Sequence, residues 1–90
     1  MGCYMAERYL PSLPRDELLS VVECERAAAA ACSCRHLQTI YVPEDETCFT
    51  LFAAPSPEAI RDASERFDLR YRRIVIAIDS LGPDSKLGAS

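Results

Sequence analysis

Hydrophobic and polar positions along this chain change period four times, and each change marks an element. The first ten residues alternate. Cys3, Met5, Glu7 and Tyr9 fall on one side, and Tyr4, Ala6, Arg8 and Leu10 on the other. That pattern predicts a strand with a charge on each face, stopped by Pro11 and Pro14. A helix is predicted from about Pro14, whose fixed φ suits a first helical position, with Asp16 and Glu17 placed where the helix dipole favours negative charge. Leu18, Val21 or Val22, Ala28 or Ala29, and Cys32 keep helical spacing and predict its buried stripe. The run Ala27 to Ala31 lets such a helix lie close to a sheet.

A hairpin follows. Residues 35–42 are rich in β-formers, Pro43 to Glu46 predict a turn, and residues 47–54 return. On the first arm Leu37, Thr39 and Tyr41 share one face, and His36, Gln38, Ile40 and Val42 the other. On the second arm Thr47, Phe49, Leu51 and Ala53 oppose Cys48, Thr50, Phe52 and Ala54. Pro55 ends the strand, and Ser56, Pro57 and Glu58 make a strong helix start. Ala59, Ile60, Ala63 and Phe67 predict the buried stripe of that second helix. A last strand is predicted over residues 72–79, its run from Ile74 to Ile78 buried on both faces. From Ser80 onward Gly82, Pro83 and Gly88 predict a mobile tail.

The order β-α-β-β-α-β predicts an α+β, ferredoxin-like domain over residues 1–79, with residues 80–90 as the tail. Right-handed crossovers place both helices on one face of a four-stranded antiparallel sheet. The strands nevertheless carry apolar residues on both faces, among them Met5, Phe49, Phe52, Ile74 and Ile76. A bare apolar sheet face is an association surface, so a homodimer joined through that face is expected. A chain of 90 residues buries only about 60–65% of its unfolded surface, which strengthens that expectation.

Composition narrows the function. The net charge is −4, and the densest basic cluster, Arg70, Arg72 and Arg73, forms no stripe of the kind a nucleic-acid partner needs. No apolar run approaches the ~20 residues that span a bilayer. The first ten residues carry Glu7 and Arg8 and lack a signal-peptide core. The expectation is a cytoplasmic protein whose five cysteines stay reduced.

Three groups carry candidate chemistry. Cys32-Ser33-Cys34-Arg35-His36 puts two thiols and an imidazole within five residues, donors suited to nickel, zinc or copper, although the spacing is not that of a zinc finger. Glu7, Tyr9, Thr39 and Tyr41 alternate along the first two strands and line one polar patch if they share a face, where a carboxylate beside phenols orients a ligand or acts as a base. Glu44, Asp45 and Glu46 make an acidic turn that reads as a solvated tip. No phosphate loop, nucleophile elbow or Cys-x-x-Cys motif is present, and nothing in the sequence identifies an enzyme.

Glu7-Arg8-Tyr9-Leu10-Pro11, the hairpin from Tyr41-Val42-Pro43 through Thr47-Cys48, Ala54-Pro55-Ser56-Pro57-Glu58-Ala59 and Arg73-Ile74 resemble a family of short bacterial proteins, domain of unknown function 4242, which includes a nickel-binding member. The resemblance spans about residues 4 to 79 and matches at Glu7, Tyr41, Asp45, Cys48 and Glu58. It implies a dimeric α+β barrel, two copies packed sheet to sheet, that binds a small ligand or a divalent transition metal such as nickel. Glu7 and Tyr41 are then the ligand-contacting pair, and His36, Cys34 and Cys48 the metal donors, with Glu7 as an oxygen donor. Other members of that superfamily are cofactor-independent monooxygenases and isomerases, for which Glu7 with Tyr41 supplies the base; a third reading is a purely structural domain. Ala63 stands where many family members carry a histidine, and Asp68-Leu69-Arg70 where they carry Gly-Leu-Pro, so His36 is the remaining imidazole.

Overall fold

A computed structural model describes residues 1–78. The alternating first segment forms β1 (Gly2–Tyr9), and a short 3-10 turn at Arg15–Glu17 leads into α1 (Leu18–Ala31). The hairpin is β2 (Arg35–Val42) and β3 (Thr47–Ala54), joined by a 3-10 turn at Pro43–Asp45 that Glu46 closes with a left-handed φ of 50°. Ser56 caps α2 (Pro57–Arg66), its hydroxyl accepting the Ala59 N–H at 3.3 Å, and β4 (Arg73–Ile76) completes the chain.

The sheet runs β2-β3-β1-β4, every neighbouring pair antiparallel. This is the ferredoxin-like α+β arrangement that the element order predicts. Both helices cover one face. Ala28 and Ala29 of α1 and Ile60 and Ala63 of α2 pack with Ala6, Phe52 and Ala54 of the sheet. Small side chains set that distance: Ala28 is fully buried and Ala29 is 1% exposed. No helix among the described residues is long and apolar enough to cross a membrane.

Three expectations need correction. The hairpin register slips between His36 and Gln38. Leu37 is the extra residue of this β-bulge, and the slip reverses the facing of everything after it. His36 opposite Phe52, Thr39 opposite Thr50 and Tyr41 opposite Cys48 therefore all lie on the helix side, where simple alternation separates His36 from the other two. Phe67 leaves the buried stripe of α2 and is 42% exposed, because it caps the helix just before the chain reverses at Asp68, with φ 55°; Ser64 is buried in its place. The last strand is also shorter than predicted. It is an edge strand, so Ile76 and Ile78 are 73% and 89% exposed instead of buried. Asp79, where that strand is predicted to end, and the predicted tail 80–90 lie outside the described residues.

The close approach of α1 to the sheet yields a prediction. Ala28→Leu adds volume where none is free and is expected to lower unfolding free energy by about 1–3 kcal/mol, read from the urea midpoint at unchanged slope.

Candidate functional site

Beneath α1 the interior is not apolar. Glu25 sits at 0% exposure, three, four and seven positions before Ala28, Ala29 and Cys32 on the same stripe. A buried carboxylate is costly unless its oxygens are satisfied, and here they are. Thr39 on β2 donates its hydroxyl to Oε1 at 2.8 Å. Thr50 on β3 and Tyr71 before β4 donate to Oε2 at 2.7 and 2.5 Å. Arg8 on β1 brings its guanidinium to 3.5 Å, and His36 on β2 its Nε2 to 4.0 Å. One carboxylate from a helix thus meets partners from three strands and the segment leading to the fourth.

The hydrogen bonds assign the histidine tautomer. The Thr39 hydroxyl spends its proton on Glu25, so at 2.6 Å from His36 Nε2 it accepts, and Nε2 carries the ring proton. His36 is held below the ordinary histidine range, chiefly by burial, with Arg26 adding to the effect and Glu25 opposing it. Burial and the Glu25 charge push the Tyr71 phenol far upward, so Tyr71 remains a donor. Its ring stacks edge-on to Phe52, centroids 5.9 Å apart, and lies under Arg8, whose Cζ is 5.5 Å from the ring centroid. Arg8 also donates from Nη1 to the Leu69 carbonyl at 3.1 Å. That carbonyl is positioned by a strained loop: Asp68 and Arg70 on either side of Leu69 hold φ values of 55° and 60°, and Ser64 ties the loop to α2 through its carbonyl to Leu69 N at 2.9 Å and its hydroxyl to Tyr71 N at 3.0 Å.

The residues singled out in sequence are distributed otherwise. Glu7 is on the opposite, open face, its side chain 14% exposed, paired with Arg72 at 3.1 Å and Arg73 at 3.7 Å. Tyr41 is on the helix side and donates to the Leu10 carbonyl at 2.7 Å. Glu7 and Tyr41 therefore do not form a pair: β3 separates their strands, and the bulge sends Tyr41 to the other face. Tyr9 instead donates to Glu46 at 2.9 Å, so the polar patch expected of Glu7, Tyr9, Thr39 and Tyr41 is split between the two faces.

Cys34 donates to the Cys32 carbonyl at 3.4 Å, and Cys48 lies 3.9 Å from the Thr50 hydroxyl. Burial raises both thiols and keeps them out of the thiolate form that binds metal. Among the described residues no three His, Cys, Asp or Glu side chains are grouped to hold a metal ion. His36 has its Nε2 proton on Thr39, which leaves Nδ1 as the nitrogen able to ligate. Within one protomer this donor set does not fit a nickel centre.

Glu25, Thr50, Ser64 and Tyr71 escape a reading by residue type, since none belongs to a motif named above, and Arg8, within the Glu7 to Pro11 motif, reads only as a charge on the strand. Glu25 did leave a signal, a charge on the helical stripe that Leu18, Val21 or Val22, Ala28 or Ala29 and Cys32 mark. The partners left none, because they are joined only by packing.

Two outcomes follow from the network. Glu25→Gln leaves the Arg8 charge buried without its counterion and is expected to cost about 3–5 kcal/mol, measured by urea unfolding. For His36 the folded chain holds the proton more weakly than the unfolded chain, so the unfolded state binds more protons and stability falls as pH drops below about 6.5. In His36→Gln that contribution is absent, and unfolding free energies measured between about pH 7 and 5 are expected to decline less steeply than in the wild type.

Comparison with known proteins bears on the same fold. The crystal structure of SCO4226 from Streptomyces coelicolor A3(2) matches with a TM-score of 0.78 at 20% identity, over 88% of this chain and 99% of that one. That likeness establishes the fold. No curated protein sequence matches the chain. The family model described as nickel responsive protein SCO4226-like matches residues 4–76. The chain belongs to the family of SCO4226-like nickel responsive proteins.

Proposed function

We propose that this chain is a cytoplasmic, nickel-responsive binding protein that works as a homodimer joined through the open face of its sheet. The observation that carries this reading is the character of that face. Met5 on the central strand lies between Leu51 and Val75, and Phe49 lies opposite Ile40. None of these five is covered by a helix, and Ile40 is 47% exposed. A contiguous apolar surface at the centre of a small sheet favours association, and a second copy offers the same surface across a twofold axis.

The metal side of the proposal follows from the misfit within one protomer. His36, Cys34 and Cys48 are interior groups already engaged in hydrogen bonds. We infer that nickel is taken between copies, where donors from two chains add up, and that the interior network serves the fold. Glu7 is the carboxylate that the joining face offers, and it must exchange Arg72 or Arg73 to serve. No observation favours the monooxygenase or isomerase reading, since the base pair it needs is split between the two faces.

The experiment uses untagged protein and its Leu51→Arg variant, which places a charge at the centre of the face. Light scattering at micromolar concentration is expected to give a dimer mass for the wild type and a folded monomer for the variant. Nickel added to both is expected to raise the melting temperature of the wild type alone. A stable wild-type monomer overturns the dimer, and nickel bound equally by a monomeric variant overturns a site between copies.

A further inference from the structure

Where α1 ends, two thiols are folded toward each other. The helix closes on Cys32, Ser33 turns the chain with a left-handed φ of 61°, and β2 begins just after Cys34. The N–H groups of Cys32 and Cys34 both bond to one acceptor, the Ala29 carbonyl, at 3.0 and 2.9 Å. Closing a helix on a single shared oxygen draws the two residues together. The Cys34 side chain curls back as well, since its Sγ donates to the Cys32 carbonyl at 3.4 Å. A disulfide needs Cα atoms within about 7 Å of each other. Two residues span no more than about 7 Å even when extended, and this turn is bent.

The surroundings give the two sulfurs different roles. Arg66 on α2 donates from Nη1 to Cys32 Sγ at 3.4 Å and meets Asp62 at 3.4 Å. Its side chain is 53% exposed, so the guanidinium reaches from solvent to the sulfur, with N–H donors to spare for an incoming oxygen. A cation at that place stabilises the negative charge that a displacement moves from sulfur to the departing oxygen. Cys34 is held as the thiol, chiefly by burial, with Cys32 and Asp62 adding to the effect. Cys32 is therefore the sulfur that reacts first, and Cys34 the one that resolves it. The two residues are 8% and 9% exposed, which restricts access to a small oxidant. In a reducing compartment such pairs act as transient couples, and a tight disulfide is readily reduced again.

We propose that Cys32 and Cys34 form a peroxide-reactive modification site. Hydrogen peroxide oxidises the Cys32 thiol to the sulfenic acid and leaves as water. The Cys34 sulfur then displaces a second water and closes a disulfide within the chain. Two equivalents of a small thiol such as glutathione reverse it, leaving as their own disulfide. Both sulfurs belong to the core cluster under the helices, so the site depends on neither nickel nor the joining of two copies.

The test exposes reduced, untagged protein to hydrogen peroxide, labels the remaining thiols with N-ethylmaleimide in urea, and digests with trypsin. Cleavage after Arg26 and Arg35 releases residues 27–35 with both cysteines in one peptide, while Cys24 falls within residues 16–26. Residues 27–35 are expected to lose two hydrogens and take no label, at a rate above that of the exposed Cys24, and glutathione is expected to restore both labels. In Cys34→Ser the reaction is expected to stop at the sulfenic acid, which dimedone traps on Cys32. Arg66→Ala is expected to slow oxidation about tenfold, the size of one charge-assisted hydrogen bond, and Arg66→Lys to restore most of the rate. Two labels on residues 27–35 after Cys24 has oxidised overturn the proposal. So does a cross-link between chains in place of the loop, or an unchanged rate in Arg66→Ala. The wild-type mapping needs no variant, so it decides the site even where a substitution disturbs the fold.

Discussion

Burial of the Glu25 carboxylate is the constraint around which this small domain is organised. An ionised carboxylate taken out of water without partners is among the most expensive things a protein can contain. Here its two oxygens receive three hydroxyl protons, from Thr39, Thr50 and Tyr71, and face the Arg8 guanidinium. The donors arrive from β1, β2, β3 and the segment that leads into β4. The helix can therefore dock in one register only, since a shift by one residue would remove the carboxylate from all its partners at once. Alanines at 28 and 29 make the docking possible by bringing the helix backbone close. The β-bulge at Leu37 makes it complete, because only the slipped register turns both His36 and Thr39 inward.

The two faces of the sheet consequently have separate characters. The helix side holds a polar network inside an apolar rim, with nearly every group committed to a neighbour. The open side is apolar at its centre, through Met5, Phe49, Leu51 and Val75, and ionic along one edge, where Glu7 meets Arg72 and Arg73. Committed groups bind poorly to anything new. This is why the histidine and the buried thiols, which by type are the best metal donors in the chain, are poor ones by environment. Arg8 is the incomplete member, joined to the Glu25 network through its guanidinium while its buried Nε has no partner.

Membership in the nickel responsive family and this interior can be held together without contradiction. Ala63 is 3% exposed and packs in the apolar core. An imidazole there would need both room and a hydrogen-bond partner, and Ile60, Phe52 and Ala6 provide neither. The interior of α2 in this chain has been given over to packing.

Local chemistry determined much of this protein directly from its sequence. Prolines at 11, 14, 43, 55 and 57, the Ser56 cap and the two periodicities are enough to establish every element, the ferredoxin-like order and the presence of a second apolar face, because turn geometry, capping and alternation act over a few residues. The bulge, the shortness of β4 and the exposure of Phe67 were decided by tertiary structure. A one-residue register slip has no composition of its own, and whether an apolar run is buried depends on what is packed beside it. The site divides in the same way. Glu25 went unread although its place on the helical stripe marks it, whereas its partners, spread from Arg8 to Tyr71, and the separation of Glu7 from Tyr41, exist only once the strands have been ordered β2-β3-β1-β4, since side chains that are distant in sequence acquire a common environment only by packing.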